Sequence, residues 1–348
     1  MRIKRIGFNR PTVVVLGAGA TRGASFVSKL RGTLPPLDSD FFTQAQRLSR
    51  NKPEKLVKDL IEGTVELFGE NFSLTMEGFL TQVEHLSHIF EDYKLPGKPA
   101  RNRYQDLRTS FLQVLAAVLD EAVGRDQECV YHRRLVRRLT PRDTVLSFNY
   151  DWLMDSTLRN WGREKWNPRI AYGIPAYKDA NCDYWACQSD GAATYPQESI
   201  SLLKMHGSMN WFPISRERDH PKIRLRQRWW HQNGRLSFEI VPPEWNKAIR
   251  VGIYRGIWRA ARRALRDSAA LVFIGYSLPD ADLPARALFM VDAGKGHTAP
   301  DLKLLVIVNP DREARRRIRR VLSARISRKT RIVTFDRFSE FSQFLISD

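Results

Sequence analysis

The chain has 348 residues, 43% hydrophobic and 27% charged, a balance that supports a sizeable core and excludes disorder as its main state. No apolar run approaches the ~20 residues of a membrane span, Val13–Leu16 is too short for a signal-peptide core, and three cysteines are too few for a disulfide framework, so a cytoplasmic protein with no membrane contact is expected. Lysine and arginine outnumber acids 57 to 38, a formal charge of +19 that calls for an anionic partner without choosing among nucleotide, nucleic acid and acidic protein.

Thr12-Val-Val-Val-Leu16 reads as a buried parallel strand that delivers the glycine-rich turn Gly17-Ala-Gly-Ala-Thr21. A short helix is predicted over 23–30, and a turn with a helix cap at Pro35-Pro-Leu-Asp-Ser-Asp40. From there to Leu139 apolar residues recur at helical spacing, as in Phe79, Leu80, Val83, Leu86 and Phe90, with a loop at 95–99. Thr144–Phe148 is a second strand, ending at Asn149-Tyr-Asp151, and a helix follows from Trp152 to Arg159. Residues 162–198 show no periodicity and read as an irregular connection. Ser201–Met205 is a third strand, ending at His206-Gly207, and 224–240 reads as a hairpin around Asn233-Gly234. Further strands are predicted at Ala270–Ile274, Leu302–Val308 and Arg331–Phe335.

Alternating strands and helices predict an α/β fold, a Rossmann-like doubly wound parallel sheet over 1–40 and 140–348 with a helical lobe inserted at 41–139. In such a sheet ligands bind at the C-terminal ends of the strands, where the polar residues collect here. Each strand end has a plain structural reading beside a chemical one. Gly17-Ala-Gly19 suits a diphosphate at a helix start, or a tight turn with no ligand; the third glycine of the dinucleotide fingerprint is displaced to Gly23. One of Asn149 and Asp151 serves as a helix cap, which leaves the other for a ligand. A lone His206 is more often a hydrogen-bonded structural group than a catalyst.

Taken in order, Gly17-Ala-Gly-Ala-Thr21, Phe148-Asn-Tyr-Asp151, Lys204-Met-His-Gly-Ser208, Ile274-Gly-Tyr-Ser-Leu278 and Val308-Asn-Pro-Asp311 resemble the ordered motifs of the SIR2 superfamily. The likeness is to the SIR2-like domains of bacterial anti-phage defence proteins, with an acid after the fourth motif (Asp280, Asp282) and a segment like Ile240-Val-Pro-Pro243 with Lys247 before it. The resemblance implies an NAD+ glycohydrolase, with NAD+ as substrate. Asn149 would orient the ribose and water, Asp151 would hold the nicotinamide amide, and His206 would act as general base. Gly17, Ala18, Gly19 and Thr21 would hold the diphosphate, while Gly275, Ser277, Asn309 and Asp311 would line the rest of the cofactor site, Ser277 and Asn309 on its adenosine side. Thr21 stands where the family usually has serine.

Deacylating sirtuins carry a four-cysteine zinc ribbon, and Cys129, Cys182 and Cys187 cannot supply one, so no metal is expected and deacylation is the weaker alternative. Two arginine-rich helical stripes, at 255–266 and 312–320, and the cation–aromatic run Arg224–His231 suit nucleic acid or a protein interface. The resemblance favours a homo-oligomer switched on by assembly or by a partner chain such as an ATPase, with a nucleic-acid-binding or nuclease subunit as the other reading.

Overall fold

Runs of aliphatic and β-branched residues, buried along their whole length, become parallel strands because both faces of each are covered. The computed structural model describes residues 11–48, 54–90, 94–95, 98–124, 127–162, 164–178, 198–213, 223–225, 239–241, 252–280, 282–290 and 302–345. In chain order the strands are β1 (Thr12–Leu16), β2 (Lys94–Leu95), β3 (Lys98–Pro99), β4 (Thr144–Ser147), β5 (Ala176–Lys178), β6 (Ser201–Lys204), β7 (Gly207–Ser208), β8 (Trp211–Pro213), β9 (Ile223–Leu225), β10 (Glu239–Ile240), β11 (Ala270–Ile274), β12 (Leu304–Val308) and β13 (Arg331–Phe335). The helices are α1 (Ala18–Arg22), α2 (Phe41–Gln46), α3 (Glu54–Phe68), α4 (Met76–Ile89), α5 (Ala100–Val123), α6 (Val130–Arg138), α7 (Leu153–Trp161), α8 (Gly252–Asp267), α9 (Leu283–Phe289), α10 (Arg312–Val321) and α11 (Phe338–Phe344).

Six strands form one parallel sheet in the order β13-β12-β11-β1-β4-β6. The chain leaves β1 toward β4 on one side and later fills the other side from β11 outward. The direction reverses beside β1, and that is where an open α/β sheet has its crevice. The architecture is the expected Rossmann-like α/β fold. No helix among the described residues is long and apolar enough to cross a membrane.

Several local expectations are corrected. The helix expected at 23–30 starts earlier, as α1 inside the glycine turn, with only a 3-10 turn at Val27–Lys29 after it; Gly23 closes α1 by donating to the Gly19 carbonyl. The loop at 95–99 is the tight antiparallel pair β2–β3. The arms of the expected 224–240 hairpin belong to different sheets: β9 pairs with β8 and β5, and β10 pairs with β7. Its Asn233-Gly234 turn, most of 162–198, Cys182, Cys187 and Lys247 lie outside the described residues.

A second apolar cluster fills the helical lobe, with Phe41 against Phe111 at 4.4 Å and Phe79 stacked on Phe111 at 5.1 Å. Tyr150, Trp152 and Met209 join it from the sheet side, so the lobe sits on the C-terminal strand ends. The lobe's cluster ends at Cys129. α6 packs instead on α7 and α11 and buries Leu135 and Val136 in the main core, because its apolar stripe faces the sheet.

Candidate functional site

The glycine turn and the end of β11 cross in contact. The Gly17 amide donates to the Ile274 carbonyl at 3.1 Å and the Gly19 amide to the Gly275 carbonyl at 2.9 Å. A Cβ on Gly17 would lie 2.6 Å from the Gly275 oxygen, and one on Gly19 would lie 2.8 Å from the Gly275 Cα. The glycines are therefore required by the crossing of two chain segments. Their amides are committed to that crossing, which removes two donors from the diphosphate cradle that the sequence suggests.

Thr21 follows on α1 and is 2% exposed. Its hydroxyl donates to Asp151 Oδ2 at 2.8 Å and accepts from Asn149 Nδ2 at 3.1 Å. The hydroxyl thus ties the loop after β4 to the glycine turn, instead of being left for a phosphate. Asp151 Oδ1 also accepts from the Leu153 amide at 2.9 Å, where it serves the start of α7. Asp151 thus anchors the floor of the site through both oxygens, and each oxygen keeps a lone pair for a further donor. Asn149 is different: its Oδ1 is buried and has no hydrogen-bond partner among the described residues.

Below this loop is an ion pair that the sequence did not single out. Lys204, fully buried at the end of β6, reaches Asp155 Oδ2 at 3.2 Å and the Asp151 carbonyl, and Tyr172 donates to Asp155 Oδ1 at 2.8 Å. A lysine inside an otherwise apolar strand was the available signal. Removing one partner of such a buried pair costs about 3–5 kcal/mol.

His206 stands edge-on to Phe148, with ring centroids 5.1 Å apart, and Phe148 stacks on Tyr276 at 4.2 Å. His206 Nε2 lies 3.6 Å from Asp282 Oδ2, and the Tyr276 hydroxyl donates to the same oxygen at 2.9 Å. Burial, then Asp282, then Glu77 of α4 push the Tyr276 hydroxyl far above its usual range, so it stays protonated and remains a donor. Of the two acids after the fourth motif, Asp282 is at the site and is 2% exposed; Asp280 points outward to Arg286. The turn ahead of both acids carries Gly275 at φ +60° and Leu278 at φ +51°, a left-handed conformation that is unusual for a buried leucine.

Asn309 Nδ2 donates to the Tyr276 carbonyl at 3.3 Å, and Asp311 caps α10 by accepting from the Glu313 amide at 2.8 Å. Arg317 Nε donates to the Ser277 carbonyl at 3.3 Å. Arg315 donates to the Asn309 carbonyl at 2.6 Å and pairs with Asp336, so it supports the site and is not part of a free basic surface.

These strand ends enclose one cavity of about 1040 Å³. Every candidate binding and catalytic residue lines it: Gly17, Ala18, Gly19, Thr21, Asn149, Asp151, His206, Gly275, Ser277, Asn309 and Asp311. Asp282 and, from the lobe, Met76 and Glu77 line it too. The lobe therefore forms a wall of the site, which no local pattern indicated.

At the cavity's far side Ser25 accepts from the Val130 amide, and its own amide lies 3.4 Å from Cys129 Sγ. Burial alone raises the Cys129 thiol, but the adjacent His132 outweighs it and brings the thiol down to about 6. A depressed pKa contributes stability that is full above the unfolded thiol's value of 9.0 and is lost as pH falls through about 6. The difference in urea midpoint between the wild type and Cys129→Ala is thus expected to shrink steadily from pH 9 to pH 6. A pH-independent difference would refute a folded-state thiolate.

No protein-family model matches the chain, and no curated protein sequence matches it.

Proposed function

We propose that the protein is an NAD+ glycohydrolase, an effector of the kind found in bacterial anti-phage defence. The observation that carries this reading is Asn149. Thr21 holds its amide nitrogen, while its buried oxygen has no partner among the described residues and lies in the same cavity wall as His206. A buried acceptor left without a donor costs about 1–3 kcal/mol, so a ligand hydroxyl or water is the fitting complement. The cavity volume suits a dinucleotide, and the strand-end position is where α/β sheets take one.

In the proposed reaction the bond between nicotinamide and ribose breaks, and its electron pair neutralises the pyridinium as nicotinamide leaves. The ribose carbon passes through an oxocarbenium-like state, as in glycoside hydrolysis. Asn149 Oδ1 accepts from the ribose or the attacking water and orients it. Water adds to the ribose carbon, and His206 takes its proton. Asp282, held by Tyr276, keeps the imidazole in place and balances its charge. Asp151 and Thr21 act one step back by fixing Asn149.

The test is release of free nicotinamide from NAD+. The geometry also ranks two variants. Thr21→Ser keeps the hydroxyl bridge and retains most of the activity. Thr21→Val breaks both bonds and frees Asn149, with an expected loss of about 10²-fold. Equal rates in the two variants would remove Thr21 from the machinery, and absence of nicotinamide release in folded wild-type protein under any tested assembly state would overturn the reaction.

A further inference from the structure

The arginines of α8, and those of α10 other than Arg315 and Arg317, face outward while the apolar residues between them are buried. On α8, Ile253, Ile257, Trp258, Ala261 and Leu265 pack inward, and Arg255, Arg259, Arg262, Arg263 and Arg266 are exposed. On α10, Ala314, Ile318 and Val321 pack inward, and Arg312, Arg316, Arg319 and Arg320 are exposed. Only Arg266 and Arg316 of these form ion pairs among the described residues, each with an acid on its own helix.

Topology brings the two helices together. The connections β6 to β11, β11 to β12 and β12 to β13 all run in the same direction across the sheet. Parallel crossovers are right-handed in about 98% of cases, so α8, α9 and α10 cover one face and α6 and α7 the other. Arg325, just after α10, donates to the carbonyls of Leu265 and Ser268 at the end of α8, both at 2.8 Å, which joins the C-terminal ends of the two helices. The sequence shows two stripes; the fold makes them one face.

We propose that this face binds nucleic acid through its phosphate backbone. So many like charges repel unless an anion lies across them. A protein partner would want an apolar or aromatic centre, and neither helix offers one. Among the described residues the exposed large hydrophobics are Ile89, Phe90, Ile170, Leu283 and Met290, all outside α8 and α10. Leu283 and Met290 mark the two ends of the intervening α9, about 10 Å apart, and do not form a patch. A regularly spaced polyanion fits instead: α8 is about 24 Å long, and duplex DNA carries a phosphate charge about every 1.7 Å of its axis. The inference is independent of the NAD+ reading.

Fluorescence anisotropy with labelled oligonucleotides of about 20 residues tests it, using single-stranded DNA, duplex DNA and single-stranded RNA at about 50 to 200 mM salt. Binding is expected to fall linearly in log K against log salt. Arg255→Gln/Arg259→Gln/Arg262→Gln should lower that slope by about 2–3 and weaken binding about 10²-fold. The matched triple variant Arg31→Gln/Lys55→Gln/Arg142→Gln, elsewhere on the surface, should stay close to wild type. Both variants are first shown to unfold at the wild-type midpoint; if the α8 variant does not, Arg259→Gln alone replaces it, with an expected slope change of about 0.7–0.9. The proposal is overturned by no binding of any of the three polymers at the lowest salt, by equal losses in the two variants, or by tighter α8-dependent binding of anionic vesicles or polyglutamate than of nucleic acid.

Discussion

Asn149→Ala and His206→Ala are each expected to reduce nicotinamide release from NAD+ by about 10²–10⁴-fold, the usual range for removing a positioned acid–base group. Both side chains are nearly buried, at 7% and 6% exposure, yet both line the cavity. Neither variant should unfold the protein. Asn149 loses one bond, to Thr21, while the contacts of His206 include the rings of Phe148 and Tyr150 and its proximity to Asp282. Turnover is read as nicotinamide formed, beside urea unfolding of each variant. Full activity in both folded variants would falsify the assignment, and loss of fold in either would be met with Asn149→Asp or His206→Gln, which keep the volume.

Gly275→Ala is expected to be the most damaging glycine-to-alanine substitution among the described residues. The residue sits at φ +60°, and its new Cβ would lie 2.1 Å from the Ala20 nitrogen and 2.2 Å from the Gly19 carbonyl carbon. Those are backbone atoms and cannot swing away. The Gly275 amide is bonded to the Val308 carbonyl at 2.9 Å and its carbonyl to the Gly19 amide at 2.9 Å, so relief requires breaking the sheet's crossing point. Strain and overpacking together predict a loss of about 3 kcal/mol or more. Gly252→Ala is the control, because Gly252 has a similar φ of +56° but no neighbour within 4 Å of its Cβ position among the described residues, and should cost only about 1 kcal/mol. Urea unfolding of the two variants separates clash from backbone strain; equal losses would show that the crossing yields.

By itself the sequence determined the α/β class, the six strands of the sheet and the residues at their ends. A run such as Val13–Leu16 or Leu271–Ile274 has one stable use, a strand buried on both faces, and such runs are local enough to read directly. Helical spacing likewise revealed the lobe and the two arginine stripes. The candidate binding and catalytic residues were legible for the same reason, since they cluster just after strand ends.

What those residues do was decided by tertiary structure alone. Thr21 and Asp151 are 130 positions apart, and only the adjacency of β1 and β4 joins them. The glycines of the first turn, read as room for a phosphate, also make room for Gly275. Asp282 rather than Asp280 faces His206, and only the folded chain after β11 shows which acid points inward. The buried Lys204–Asp155 pair, the wall supplied by Glu77 and the merging of two arginine stripes into one face depend on strand order and crossover hand in the same way. Propensity and periodicity act over a few residues, whereas these contacts exist only once distant strands become neighbours.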